Sequence, residues 1–167
     1  MEAVKSFWSF PTWIVPVKRL VVSEKTGEWC KLPYPNHPKG CPNYGKKATC
    51  PPQAPRLHHY FDVSRPMSLV HSEFDLEKHA KRMRTEHPQW SERQCRCLLY
   101  WQPTSRKQMR ARTSAAMWTI GCNAKTECPE AMGLNVFATA AVSGLKLDRT
   151  RNIRTARHVC LIGWRVQ

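Results

Sequence analysis

The sequence has no long hydrophobic run, which argues against a membrane-spanning helix. Its longest apolar stretches, such as Val136–Val142, are far shorter than the roughly 18 residues that a transmembrane helix needs. The N-terminus also lacks the basic start, apolar run and small-residue cleavage site of a secretory signal peptide. We therefore expect a cytoplasmic protein with no membrane partner.

Several common catalytic motifs are also missing. There is no glycine-rich phosphate loop, no His-Glu-x-x-His helix and no Gly-x-Ser-x-Gly elbow. The paired motifs of zinc deaminases are absent too, because His71-Ser-Glu73 matches only the first half of that pattern. No hydrolytic or nucleotide-dependent class gains support, and the sequence leaves open whether the chain is an enzyme.

Acidic residues are few, and the resulting charge is unevenly distributed. The chain has 12 Asp and Glu against 27 Lys and Arg, a formal net charge of +15. Residues 78–112 carry ten basic residues against two acids, and residues 144–167 carry six against one. Such a field attracts polyanions through counterion release, although it is also typical of a solubilising surface.

From this charge we predict a nucleic-acid-binding surface on basic helices. Its candidate residues are Lys81, Arg82, Arg84, Arg106, Lys107, Arg110, Arg112, Arg151 and Arg154. Trp90, Tyr100 and Trp101 lie beside this basic run, where aromatic rings can stack on bases. Their helical spacing is equally typical of core residues, so stacking remains an alternative.

The 167 residues and 41% hydrophobic composition are sufficient for one domain with an ordinary core. We predict a single α+β domain over residues 1–167 with a small sheet and two to four helices. Its parts are a Pro/Cys-rich loop over 30–66, a basic helical segment over 72–120, and a second cysteine loop, short helix and C-terminal strand over 121–167. The expected elements are a β-rich segment at 12–23 interrupted by Pro16, helices at 72–87, 91–101, 105–120 and 135–144, and a strand at 158–166.

Eight cysteines are present, and none forms the tight Cys-x-x-Cys pair of a zinc finger or ribbon. In a reducing cytosol, clustered cysteines indicate metal or redox chemistry more often than disulfides. The first group is Cys30, Cys41 and Cys50. Eight of the thirteen prolines lie at 33–66, and such a run cannot be helix interior or central strand. An irregular loop held by a bound ion fits it better than a linker does.

The second group is Cys122 and Cys128. Proline directly follows Cys41, Cys50 and Cys128, a pairing familiar from cluster-binding ferredoxin loops. A metal shared by the two groups would join distant chain segments and contribute to folding. We interpret Cys95, Cys97 and Cys160 as packing or incidental thiols, and His37 as an alternative ligand in place of one cysteine.

Two motifs in this order resemble a known family. They are Gly-Cys-Pro-Asn-Tyr-Gly-Lys at 40–46 with Cys-Pro-Pro at 50–52, and Cys-Pro-Glu-Ala-Met-Gly-Leu-Asn-Val-Phe-Ala-Thr at 128–139. The family comprises small prokaryotic and phage proteins regarded as a metal-binding domain of unknown function. The resemblance implies Cys41, Cys50, Cys122 and Cys128 as metal ligands, with Cys30 as a possible fifth. This chain has fewer cysteines ahead of the second motif than the family pattern.

Three hypotheses follow from the sequence. The first is a cytosolic metal-binding protein, with an iron–sulfur cluster or zinc on two cysteine loops and basic helices that contact nucleic acid. The second is a cluster-dependent redox enzyme with an open iron site for a small-molecule substrate. The third is a metal-free basic interaction module. Thiolates suit both metals, and the Cys-Pro pairs with loose spacing favour a [4Fe–4S] centre over zinc.

Overall fold

The computed structural model of the chain describes residues 10–33, 37–149 and 153–167. Arg151 of the expected basic surface lies outside these residues. Within the described ranges, the α+β class is confirmed: helices pack on a four-stranded antiparallel sheet, and a two-stranded sheet lies beside it.

The larger sheet has the strand order β1-β2-β6-β4, and the smaller one pairs β3 with β5. In chain order the strands are β1 (Ile14–Pro16), β2 (Ser68–His71), β3 (Phe74–Asp75), β4 (Ala124–Thr126), β5 (Thr155–Ala156) and β6 (Val159–Gly163). Pro16 lies on β1 at the edge of the sheet, as its missing amide donor requires. The C-terminal strand expected at 158–166 is β6, between β2 and β4.

Strand β2 was not expected from the sequence. All four of its residues are buried, and it pairs with β1 on one side and β6 on the other. A strand covered on both faces shows no polar alternation, and Ser-Leu-Val-His is too short for an apolar run to indicate a strand.

Five α-helices fall within the described ranges, and none of them is long and apolar enough to cross a bilayer. They are α1 (Leu57–Tyr60), α2 (Leu76–Glu86), α3 (Glu92–Cys95), α4 (Gln102–Ile120) and α5 (Val136–Val142). Short 3₁₀ helices occupy Glu24–Lys31, Leu98–Tyr100 and Pro129–Met132. Side chains cap three of the α-helices: Asp75 begins α2, Ser91 begins α3 with the expected capping box, and Asn135 begins α5.

The helix expected at 91–101 is shorter than the sequence indicated. It ends at Cys95, and a 3₁₀ turn follows before Trp101, which is buried with its indole Nε1 donating to the carbonyl of Arg96 at 3.4 Å. Helix α4 then begins at Gln102, with Pro103 in its first turn. Proline is tolerated there because the first amides of a helix have no intrahelical partner.

The larger sheet separates two apolar clusters. Side chains alternate along a strand, so Leu161 of β6 faces one cluster while its neighbours Cys160 and Ile162 face the other. The cluster around Leu161 contains residues of α1 and α5, and the cluster around Cys160 contains residues of α4. The two faces of β6 therefore divide the molecule into an α5 side and an α4 side.

We expect Leu161→Ala to lower the free energy of unfolding by about 3 kcal/mol, because Leu161 is fully buried in a central strand and its loss leaves a cavity. Leu99→Ala is the matched control, since Leu99 is 81% exposed and should change stability by less than about 0.5 kcal/mol. Denaturant unfolding of both variants checks this, and equal losses would contradict the assigned core.

Candidate metal centre

Cys30 and Cys41 are joined through the backbone. Cys30 lies in the 3₁₀ helix Glu24–Lys31, and the amide of Cys41 donates to the carbonyl of Cys30 at 2.7 Å. Gly40, at φ +82°, makes this approach possible, because a Cβ there would lie 2.6 Å from the carbonyl oxygen of Cys30. Only glycine fits both the left-handed conformation and the close contact.

Cys50 comes to the same place by a closed loop. The amide of Gly45 donates to the carbonyl of Pro51 at 2.8 Å, so the segment after Cys41 folds back on the segment after Cys50. Pro51 also packs on the 3₁₀ helix that holds Cys30, since a Cβ on Gly27 would meet its ring at 3.7 Å. Loop and helix therefore carry three cysteines on adjacent backbone.

Cys128 is brought in from 78 residues further along the chain. It precedes the 3₁₀ helix Pro129–Met132, which packs against Glu24–Lys31. The fully buried hydroxyl of Thr26 donates to the carbonyl of Glu130 at 2.8 Å and fixes this contact. Two short helices thus place a cysteine of the second motif beside the first cysteine loop.

Electrostatic coupling between the thiols agrees with this placement. Burial raises the pKa of Cys30, and the negative charges of Cys41, Glu130 and Cys50 raise it further. Burial also raises the pKa of Cys128 to about 11, with added contributions from the charges of Glu130, Cys50 and Cys30. Cys128 exposes part of its surface, but that surface lines a concave cleft. Without a metal, Cys30 and Cys128 are protonated at neutral pH, and metal binding would displace their protons.

The donors have the chemistry of a thiolate metal site, but they are not arranged at ligand distances. Among the residues that the structure describes, no three His, Cys, Asp or Glu side chains stand close enough to hold a metal ion as placed. Coordination would require the thiols to turn towards a common centre.

Of the four ligands that the family resemblance implied, the structure brings together Cys41, Cys50 and Cys128, and it separates Cys122. Cys122 is 7% exposed and packs in the cluster on the α4 side of the sheet. Burial raises its pKa, with no contribution from another thiol. Strand β4 lies between Cys122 and Cys128 and carries the chain from one environment to the other. Cys30, expected only as a possible fifth ligand, lies with Cys41, Cys50 and Cys128.

The other cysteines lie away from this group. All eight are free thiols, and Cys95 and Cys160 are fully buried in apolar clusters, where packing thiols are found. His37 contributes its backbone carbonyl, which accepts from the amide of Gly40 at 3.1 Å. The only sequence signal for Cys30 is its position ahead of the Gly40–Cys41 turn. The amide of Cys41 in that turn donates to the carbonyl of Cys30.

A cleft of about 690 Å³ opens beside the cysteine group. Cys50 and Cys128 both line it, and α4 and β6 contribute other walls. This volume lies within the range of ligand-binding pockets, about 300–1,000 Å³. A metal held by these cysteines would therefore lie next to a space large enough for a small molecule.

The candidate nucleic-acid residues divide into those already engaged by other protein groups and those left exposed. On α2 each one has an acidic neighbour: Lys81 pairs with Glu77 at 3.5 Å, Arg82 pairs with Glu86 at 3.7 Å, and Arg84 pairs with Glu92. On α4, Arg110 forms a bidentate pair with Glu127, and Arg112 donates to the carbonyl of His71. Arg106 and Lys107 are exposed on α4 beside Arg110, and Arg154 is exposed near β5.

The three aromatic candidates differ in how far their rings are exposed. Trp101 is 5% exposed and stacks on Phe74, which confirms the core alternative for this residue. Trp90 is stacked between His87 and Tyr100, with ring centroids 4.0 and 5.5 Å apart, and Tyr100 is exposed. His87, Trp90 and Tyr100, here called the ring stack, form a short aromatic ladder at the surface.

Comparisons with protein-family models, with curated proteins and with solved structures found no match to this chain. Its function therefore has to be argued from its own residues.

Gly40→Ala and Gly45→Ala form a matched pair that tests the joined backbone. Both glycines have positive φ, but a Cβ on Gly45 would meet nothing within 4 Å. We expect Gly45→Ala to cost about 1–2 kcal/mol of unfolding free energy, and Gly40→Ala to cost about 1–3 kcal/mol more because the backbone must shift away from Cys30. Denaturant unfolding measures both, and equal costs would show that the close contact is not formed.

Proposed function

We propose that this chain is a metal-binding protein whose site is formed by Cys30, Cys41, Cys50 and Cys128. The observation that carries the proposal is the backbone arrangement: the Cys41–Cys30 hydrogen bond, the folded-back loop at Cys50 and the Thr26–Glu130 contact converge on one place. Packing alone does not require three separate chain segments to place their thiols at the same loop.

The metal that we propose is a [4Fe–4S] cluster, with zinc as the alternative. Four thiolates suit both. The proline after Cys41, Cys50 and Cys128 removes an amide and stiffens the exit from the site, as in ferredoxin loops. Eight free thiols also need a reducing compartment, so the proposed location is the cytoplasm of a prokaryote or a phage-infected cell.

Anaerobic purification followed by an absorption spectrum and metal analysis tests this proposal. A cluster gives a brown protein with broad visible absorbance and about four iron atoms per chain. One zinc ion in a colourless protein would establish the structural alternative. A folded protein without metal, whose unfolding curve is unchanged by a chelator, would contradict the proposal and support the metal-free interaction module.

Alanine variants of individual cysteines separate the two possible ligand sets. If the structural set is correct, Cys30→Ala and Cys128→Ala lower the metal content strongly, whereas Cys122→Ala keeps it. The set implied by the family resemblance predicts the reverse for Cys30 and Cys122. Cys97→Ala is the control, because Cys97 is half-buried like Cys30 but shows no electrostatic contact with the group. Metal content per folded chain, measured for all four variants, decides between the sets.

Contact with single-stranded nucleic acid is the second function that we propose, and the ring stack is the observation that favours it. Stacked rings with an exposed outer member accept bases without reading their sequence. Exposed Lys107, on the helix that follows the ring stack, provides a phosphate contact. Duplex recognition would need a helix or ribbon fitted to a groove, and the ring stack does not resemble one.

Fluorescence titration with a labelled single-stranded oligonucleotide at several salt concentrations measures this activity. We expect Lys107→Gln to weaken binding and to reduce the slope of log K against log salt by about 0.7, the value of one phosphate contact. Lys81→Gln removes the same charge from a side chain already paired with Glu77, so it should change the slope less. A slope that is unaffected by either variant would contradict the proposed interface.

The cleft beside Cys50 and Cys128 keeps the redox-enzyme hypothesis as a proposal. A metal with one position open to the cleft would meet a small-molecule substrate there, whereas a site with four thiolates on the metal would be closed. The number of protein ligands separates these cases. The cleft itself has chemistry that does not depend on the metal.

A further inference from the structure

The cleft beside the cysteine group is lined by more cationic than anionic side chains. Its basic residues are Lys47, Arg106, Arg110, Lys125 and Arg157. Its acidic residues are Glu127, Glu130 and Asp148. Two of the three carboxylates are already engaged by protein groups, so the cations outnumber the carboxylates left to balance them.

Glu127 and Asp148 are the engaged carboxylates. Arg110 donates two hydrogen bonds to Glu127, at 2.9 and 3.0 Å. These bonds are the main reason that the pKa of Glu127 is lowered. Asp148 accepts from the backbone amides of Arg154 and Thr155, both at 2.9 Å, and its pKa is lowered by these bonds. Arg106 and Arg157 contribute to these lowered pKa values through their charge, but among the described residues neither forms an ion pair with Glu127 or Asp148.

Arg157 has hydrogen-bonding capacity to spare. Its Nε atom is buried and has no hydrogen-bond partner among the described residues. Its Nη2 atom lies 3.8 Å from Glu73, which is an ion-pair distance but too long for a hydrogen bond. A buried donor without a partner is unfavourable, and a bound anion or water would satisfy it.

His158 adds a neutral donor whose orientation is set by a closed chain of hydrogen bonds. The amide of His158 donates to Ser72 Oγ at 3.0 Å, Ser72 Oγ and Ser105 Oγ are 2.7 Å apart, and Ser105 Oγ lies 2.9 Å from His158 Nδ1. Both hydroxyls are buried. Each hydroxyl has one proton to donate. Both protons have an acceptor when Ser72 donates to Ser105 and Ser105 donates to Nδ1 of His158.

Nδ1 of His158 is then an acceptor, and the ring proton lies on Nε2. Burial is the main reason that the pKa of His158 falls to about 4, and the positive charge of Arg106 is the next. The ring is consequently neutral at physiological pH and presents an N–H without adding a charge. A lowered pKa of this kind also shows that Arg106 lies close to the imidazole.

We propose that this cleft binds a small organic anion whose carboxylate or phosphate is held by Arg106, Arg157 and the Nε2–H of His158. Tyr60 and Phe137 line the same cleft and provide apolar surface for the body of the ligand. Arginine pairs with oxyanions through two parallel hydrogen bonds, which favours carboxylate and phosphate over other anions. The site is built from protein side chains alone, so it does not rest on the presence of a metal.

Isothermal titration of the full-length protein with inorganic phosphate and, separately, with benzoate tests the proposal. We expect at least one probe to bind, and the stronger one identifies the anionic group. Arg106→Gln should weaken that binding about tenfold, the effect of losing a charge-assisted hydrogen bond. Lys78→Gln is the matched control, because Lys78 is exposed on α2, does not line the cleft and is not among the residues proposed to contact nucleic acid. It should change the affinity less than about twofold.

Nuclear magnetic resonance of the His158 imidazole nitrogens provides a second readout that charge removal alone would not move. The free protein should show Nδ1 as acceptor and Nε2 protonated, and the Nε2 signal should shift when the probe binds. Failure of both probes to bind, equal weakening by Arg106→Gln and Lys78→Gln, or an Nε2 signal unmoved at saturation would each overturn the proposal. Metal content is measured separately, so a failure here is distinguishable from a failure of the metal site.

Discussion

The hydrogen bond from the amide of Cys41 to the carbonyl of Cys30 is the constraint on which the cysteine loop depends. Most backbone hydrogen bonds of this proline-rich loop close local turns of three or four residues, as Tyr44–Cys41 and Cys50–Lys47 do. The Cys41–Cys30 bond instead joins the loop to the 3₁₀ helix Glu24–Lys31. Thr26 extends the same constraint to the second motif through the carbonyl of Glu130. These two contacts bring the proposed ligands together before any metal is considered.

Strand β6 explains how one small domain keeps two kinds of cysteine apart. Cys160 and Cys122 lie on the α4 side among apolar residues, where burial raises the pKa of both thiols. Cys128 follows β4 along the chain and lies beside the cysteine loop. A thiol surrounded by hydrocarbon is inert, whereas thiols that share one loop can exchange their protons for a metal. The neighbours of each thiol, and not sequence spacing, separate the structural cysteines from the candidate ligands: apolar side chains surround the first, and other thiols lie near the second.

The cleft connects the proposed metal site with the proposed anion site. Cys50 and Cys128 form part of its wall, and Arg106, Arg157 and His158 form another part. An anion held by the basic residues would lie in the cleft next to the metal. The buried hydroxyls of Ser72 and Ser105 orient the His158 ring and burial keeps it neutral, which favours a ligand with hydrogen-bond acceptors. Much of the positive charge predicted to face nucleic acid instead pairs with acids on α2 or lines this cleft.

Local signals in the sequence determined much of the secondary structure. The start of α3 after Ser91, the start of α5 after Asn135 and the end of α4 at Ile120 depend on neighbouring residues, and each agrees with the expected bounds. Helix α4 begins at Gln102, three residues before its expected start. Strand β2 and the early end of α3 were missed, because a short buried strand has no periodicity and Trp101 is drawn into the core by distant residues. Tertiary structure alone decided which cysteines meet. Residue spacing made Cys122 and Cys128 look like partners, but β4 separates them, while a glycine that permits close backbone approach brings Cys30 to Cys41.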